Sequence, residues 1–145
     1  MMKKYIHIGY PKNFSTTLQR DFFPQHPQLY HLGVGSADSN LGYRSGLVED
    51  ALEVYLKSCK KPKYEEVRQR LVDGFRALFA EAAEMPGKEL VGVSCEHLSF
   101  CFSNDGLDYI EKAKRLADIF GSDTKIIMIA RNQVDLIQSL YRESV

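Results

Sequence analysis

The chain has 145 residues, 44% hydrophobic, 26% charged and 11% aromatic, with Lys+Arg 19 balancing Asp+Glu 19. That length suits one domain, the apolar fraction excludes wholesale disorder, and zero net charge argues against nucleic-acid binding by bulk phosphate neutralisation. A single local anion site is compatible with both.

Apolar runs stop at about five or six residues, well short of the ~20 that a membrane helix needs, so no transmembrane segment is expected. Met1-Met2-Lys3-Lys4 opens like a signal peptide, but the apolar stretch after it is only Tyr5 to Ile8, broken by His7, and Gly9-Tyr10-Pro11 stops it. A secretory signal is therefore not expected. Cys59, Cys95 and Cys101 are odd in number and lack metal-ligand spacing, so reduced thiols in a cytoplasmic, metal-free protein are expected.

The elements follow in chain order. Lys4 to Gly9 is short, β-branched and aromatic, and predicts a strand. Ser15 to Phe23, with Leu18 and Phe22 four apart and a start rich in Ser and Thr, predicts a short helix closed by Pro24 and Pro27. Tyr30 to Ser45, with Gly33, Gly35 and Gly42, predicts a long loop, and His26 and His31 are read either as lining an acceptor site or as plain surface.

Leu47, Ala51 and Tyr55 form one helical face, which ends in the basic stretch Lys57 to Lys63, read as a solvated linker. Tyr64, Val67, Leu71, Phe75, Leu78 and Ala82 carry the clearest helical period of the chain. Leu90 to Ser94 predicts a buried strand. A helix from Leu107 to Phe120 turns Ile110, Ala113, Ala117 and Phe120 inward and stops at Gly121. Lys125 to Ala130 predicts a third strand, apolar on both faces as parallel strands covered by helices are. A last helix begins near Gln133.

Strands alternating with helices imply an α/β fold with a parallel sheet, whose ligands gather at the carboxyl ends of the strands. Three segments follow such ends. After the first strand comes Gly9-Tyr10-Pro11-Lys12-Asn13-Phe14-Ser15-Thr16-Thr17, a turn into a helix with one lysine and three hydroxyls, suited to an anion. Its spacing fails the G-x-x-x-x-G-K-[ST] template of nucleotide triphosphate loops. After the third strand comes Arg131-Asn132-Gln133-Val134-Asp135, in which Asn132 caps the helix, with Ser139 about two turns further at a similar angular position. An arginine fork and a hydroxyl can close on one phosphate. After the second strand comes Ser94-Cys95-Glu96-His97, whose polar groups should surface at the ligand edge of the sheet. Cys95 is read as a small core residue and His7 as a core or sheet-face residue.

The first and third segments together resemble the sulfotransferases that use 3′-phosphoadenosine 5′-phosphosulfate (PAPS). Tyr10-Pro11-Lys12 with Ser15-Thr16 is similar to the signature Y-P-K-[ST]-G-[ST]-[ST], with Asn13 and Phe14 where a hydroxyl residue and glycine are usual. Arg131, Asn132, Asp135, Ser139 and Tyr141 are similar to R-[ND]-P-x-[DE]-x-x-x-S-x-[YF], with Gln133 in place of proline. The likeness covers roughly residues 5 to 20 and 90 to 141.

It implies a three-layer α/β/α, P-loop-NTPase-like sulfotransferase fold, present in part because the chain is short for that family and reads as incomplete at its C-terminal end. It also implies that Lys12, Asn13, Phe14, Ser15, Thr16 and Thr17 bind the phosphosulfate, with Lys12 also catalytic, and that Arg131 and Ser139 hold the 3′-phosphate. The product would be 3′,5′-ADP, and the acceptor a hydroxyl, with carbohydrates among the candidates and with Glu96 first and His97 second as the base that takes its proton. Phe14 either blocks close approach of the sulfate, packs outward, or stacks on a ligand ring. The alternative reading is a non-catalytic nucleotide- or glycan-binding domain on the same scaffold. Leu140-Tyr141 near the end of the chain leaves self-association open.

Overall fold

The computed structural model describes residues 2–9, 15–35, 42–58, 60–99, 107–130 and 132–144. Its elements are β1 (Lys3–His7), α1 (Ser15–Thr17) running into a π-helical turn (Leu18–Phe22), β2 (Leu29–Gly35), α2 (Gly46–Asp50) running into a second π-helical turn (Ala51–Tyr55), α3 (Lys61–Glu84), β3 (Leu90–Cys95), a 3₁₀ turn (Glu96–Leu98), α4 (Tyr109–Phe120), β4 (Lys125–Ile127) and α5 (Gln133–Ser144). The chain is mixed α/β with a four-stranded parallel sheet in the order β2-β3-β1-β4.

Local chemistry explains most boundaries. Pro62 sits in the first turn of α3, where its missing N–H costs nothing. Asp108 caps α4 by accepting from the Glu111 amide at 2.8 Å, and Gly121 at φ 86° closes it. The Asn132 side chain accepts from the Val134 amide at 2.9 Å at the start of α5.

Alternation along the strands divides the core in two. Ile6, Tyr30, Leu32, Val91, Val93 and Cys95 face the larger cluster, which holds Leu52, Leu71, Phe75 and Phe120 from α3, α4 and the second π-turn. Phe75 and Phe120 meet at 5.2 Å between ring centres. Burying a side chain of this size contributes about 1.5–3 kcal/mol. Tyr5 and Leu29 face the opposite side, which Phe23 and Leu18 cover.

The strand order sets where a ligand can lie. From β1 the chain crosses to β2, past β3; from β3 it crosses to β4, past β1. Neighbouring strands thus send their connections in opposite directions and onto opposite faces, and a crevice opens between the carboxyl ends of β1 and β3.

Four expectations need correction. Residues 29–35 are a buried strand, and His31 is part of it, not of a loop. Gly33 and Gly35 read as breakers, yet both are packing requirements. A Cβ on Gly35 would lie 2.8 Å from both Cys95 Sγ and Leu52 Cβ, and one on Gly33 (φ +158°) would lie 2.8 Å from Tyr43 Cδ1.

The segment expected as a covered strand over 125–130 is instead a three-residue edge strand, with Ile126, Ile127 and Met128 exposed. Among the described residues it pairs with β1 alone. On α4, Ile110 is 70% exposed while Lys112 and Arg115 turn inward. Both charges are engaged: Lys112 Nζ donates to the His97 carbonyl at 2.5 Å, and Arg115 bonds Glu111 at 3.0 Å and the Tyr55 carbonyl at 2.7 Å. Finally, the helix carrying Leu47, Ala51 and Tyr55 changes from α to π geometry at Ala51.

Candidate functional site

The carboxyl ends of β1, β3 and β4 lie side by side in the sheet. Pairing of β1 with β4 runs from Tyr5↔Lys125 to His7↔Ile127, and the Ile8 amide extends it by donating to the Ile127 carbonyl at 3.0 Å. On the other flank His7 is level with Ser94.

Gly9 and Ser15 bracket the turn after β1. A Cβ on Gly9 would lie 2.3 Å from Ser15 Oγ, so only glycine lets the buried Ser15 side chain close on that backbone. Thr16 is exposed and Thr17 half-buried. Lys12, Asn13, Phe14 and Arg131 lie outside the described residues, as do Cys59 and Cys101. Ser139 belongs to α5, its side chain outside the described set.

The turn after β3 is tied to the turn after β1. Ser99 Oγ lies 2.5 Å from the Gly9 carbonyl oxygen and 2.9 Å from that of Glu96. Glu96 and His97 are half-buried in the 3₁₀ turn at this edge. Burial, with the nearby Lys57 and Lys112 charges against that of Glu53, holds the His97 imidazole below its usual range and therefore neutral at pH 7. A neutral imidazole can accept a proton. Cys95 is fully buried among apolar side chains, with its thiol pushed up to about 12, and is a core residue as expected. Lys57, in the basic stretch read as a linker, pairs with Glu53 at 3.4 Å.

At the carboxyl end of β1 lies a polar cluster that sequence reading did not assemble. His7, Ser94 and Gln19 are buried together, with His7 Nδ1 2.7 Å from Ser94 Oγ and Gln19 Nε2 donating to that oxygen at 2.9 Å. Beside them Tyr5 Oη meets His31 Nδ1 at 2.7 Å, and Phe23 packs between the rings of His7 and His31 at 5.1 and 5.4 Å. Burial lowers the pKa of each histidine to about 4. The only sequence signal was polar residues in a strand otherwise apolar.

On the opposite face a groove of about 420 Å³ opens under α4, walled by Ile8, Leu98, Leu116, Ile126 and Met128, with Lys112 at its side. That volume falls within the usual range for small-molecule pockets. Among the described residues no group of His, Cys, Asp and Glu is arranged to hold a metal ion, and no helix is long and apolar enough to cross a membrane.

Comparison with known proteins finds no match to this chain among family models, curated proteins or solved structures.

Proposed function

We propose that the chain is a sulfotransferase domain, of three-layer P-loop-like architecture, that moves a sulfuryl group from PAPS to an acceptor hydroxyl. The observation that carries the reading is the direct parallel pairing of β1 with β4. The segment with Lys12 leaves one strand and the segment with Arg131 leaves its neighbour, at the same sheet edge and about 5 Å apart at the strand ends. Two anion-binding turns at that spacing suit the two phosphate ends of one nucleotide.

In this reading Lys12 neutralises charge on the departing phosphate oxygen, and Ser15, Thr16 and Thr17 hold the oxygens of the phosphosulfate. Arg131 and Ser139 grip the 3′-phosphate. The acceptor oxygen forms its bond to sulfur as the sulfur–oxygen bond to phosphate breaks, and Glu96 or His97 takes the acceptor proton. The groove beside the 3₁₀ turn, being mainly apolar, favours an acceptor whose hydroxyl is carried on an apolar frame. A bare carbohydrate would leave hydroxyls without partners there.

Thermal-shift titration with 3′,5′-ADP and with 5′-AMP tests the nucleotide clamp. Stabilisation by the bisphosphate alone is expected; an equal response to both, or none, rejects the clamp. Sulfuryl transfer from labelled PAPS to a panel of phenols, sterols and sugars then separates an enzyme from a binding domain. Loss of transfer in Glu96→Gln or His97→Gln, with 3′,5′-ADP binding retained, identifies the base.

A further inference from the structure

His7 on β1 and His31 on β2 flank one side chain, Phe23, whose ring centre lies 5.1 Å from the first imidazole and 5.4 Å from the second. Both imidazoles are buried, and the Nδ1 of each meets a hydroxyl at 2.7 Å, Ser94 Oγ for His7 and Tyr5 Oη for His31. Neither Nε2 has a hydrogen-bond partner among the described residues. Such a site suits a neutral ring, but it offers an imidazolium no counter-charge and no second acceptor.

The cover over the two rings is thin. On this face of the sheet the buried apolar side chains are Tyr5, Phe23 and Leu29, with Leu18 and Leu90 at their margin, whereas the other face carries the large core. Phe23, Leu18 and Gln19 all come from the stretch 15–26 and reach the sheet through their side chains. The amides of Phe23 and His26 bond the carbonyls of Leu18 and Phe22, within the stretch itself. A helical stretch this short has no stability of its own away from the sheet.

The charged and titratable groups around the pair do not favour ionised rings. Arg44, bonded to the His31 carbonyl, has the same sign as an imidazolium, and Tyr5 stays neutral in acid. Asp21 pairs with Arg20 on the exposed side of the stretch, and His26 packs on the exposed Phe22.

We propose that the two histidines form an acid-operated latch, in which proton uptake by His7 and His31 releases residues 15–26 from the sheet while the large core stays folded. Covered, the rings bind protons only near pH 4, against an ordinary 6.5. Between those values the uncovered state therefore gains about tenfold per pH unit for each ring, and about a hundredfold for two rings under one cover. The latch goes beyond the proposed reaction and stands without it. Within that reading, release of Ser15, Thr16 and Thr17 takes apart the first anion segment in acid.

Native-state amide exchange of the unaltered protein from pH 7 to 4.5, corrected for the intrinsic pH dependence of exchange, tests the latch. Expected is a fall in protection of the Phe23 and His26 amides that steepens toward about a hundredfold per pH unit and is complete while Leu71 and Phe75 of α3 are still protected. Loss of protection at Phe23 and His26 only together with Leu71 and Phe75 overturns the proposal, because the cover then opens with the whole domain. Protection at Phe23 and His26 that does not change over this range overturns it too. The variant His31→Phe keeps a ring against Phe23 and removes one titrating group, so its slope is expected to drop to about tenfold per pH unit. An unreduced slope, in a variant that retains the native far-ultraviolet spectrum, rejects the role of His31. The exchange of the unaltered protein is enough to overturn the latch by itself.

Discussion

Ser99 Oγ lies 2.5 Å from the carbonyl oxygen of Gly9, a side-chain bridge between the turns that leave β3 and β1. Ninety positions apart in sequence, the two residues lock the candidate base turn to the candidate anion turn. Ser99→Ala removes the bridge and leaves both turns in place. Stability is expected to fall by about 1 kcal/mol in urea unfolding. Affinity for 3′,5′-ADP should fall more than that loss explains, since the mobility introduced is at the site. Unchanged affinity would show that the two turns are positioned independently.

The buried histidines make stability depend on pH. Both have folded-state pKa values of about 4 against an ordinary 6.5, because burial penalises the charged ring; Arg44 adds to this at His31. The unfolded chain therefore binds more protons than the folded one between those values, and stability falls as pH drops from about 6.5 toward 4. Each ring contributes a slope on the order of 1.4 kcal/mol per pH unit within that window. Urea midpoints at pH 7, 6 and 5 should decline, and His31→Phe should flatten the decline by about half. A flat profile in the unaltered protein would show that neither ring is buried as described.

Arg115 is the largest fully buried side chain among the described residues. It is anchored by Glu111 and the Tyr55 carbonyl, with its guanidinium 4.3 Å from the centre of the Tyr64 ring. Arg115→Ala leaves a buried carbonyl without its donor and a cavity between α3 and α4, and should cost about 3–5 kcal/mol. Arg115→Met keeps the bulk and loses the charge, so it should cost less. Denaturation midpoints of the two variants measure the order, and equal losses would mean that the lost hydrogen bonds and charge, not the volume, carry the cost.

Gly92 has no room for any side chain. A Cβ there would lie 2.0 Å from the Tyr5 carbonyl oxygen, a backbone atom in the neighbouring strand. Gly92→Ala should therefore separate β1 from β3 and destabilise the protein by about 3 kcal/mol or more. Gly46→Ala, where nothing stands within 4 Å, should leave the melting temperature within a few degrees of the parent and serves as the control.

Signals confined to one segment proved legible. The apolar period from Tyr64 to Ala82 became α3, Gly121 ended α4, Asn132 capped α5, and the runs 4–9 and 90–94 became β1 and β3. So did the core role of Cys95 and the buried position of His7. Three strand ends were legible, because a polar segment after an apolar run marks such an end wherever the strand lies in the sheet.

What local pattern does not encode is which strand lies beside which. Gly33 and Gly35 look like breakers until Cys95, Leu52 and Tyr43 are seen pressing on their α-carbons; only then do they belong to β2. Lys112 and Arg115 face inward because acceptors more than ten residues away, on the β3 turn and the second π-turn, meet them. His7, Ser94 and Gln19 form one cluster because parallel pairing sets residue 7 level with residue 94. Amino-acid order alone thus determined β1, β3, α3, the end of α4 and the start of α5. Tertiary structure decided the sheet order, the exposure of Ile126 and Ile127 on β4 and the His7–Ser94–Gln19 cluster, since each depends on contacts between residues that have no neighbourhood in sequence.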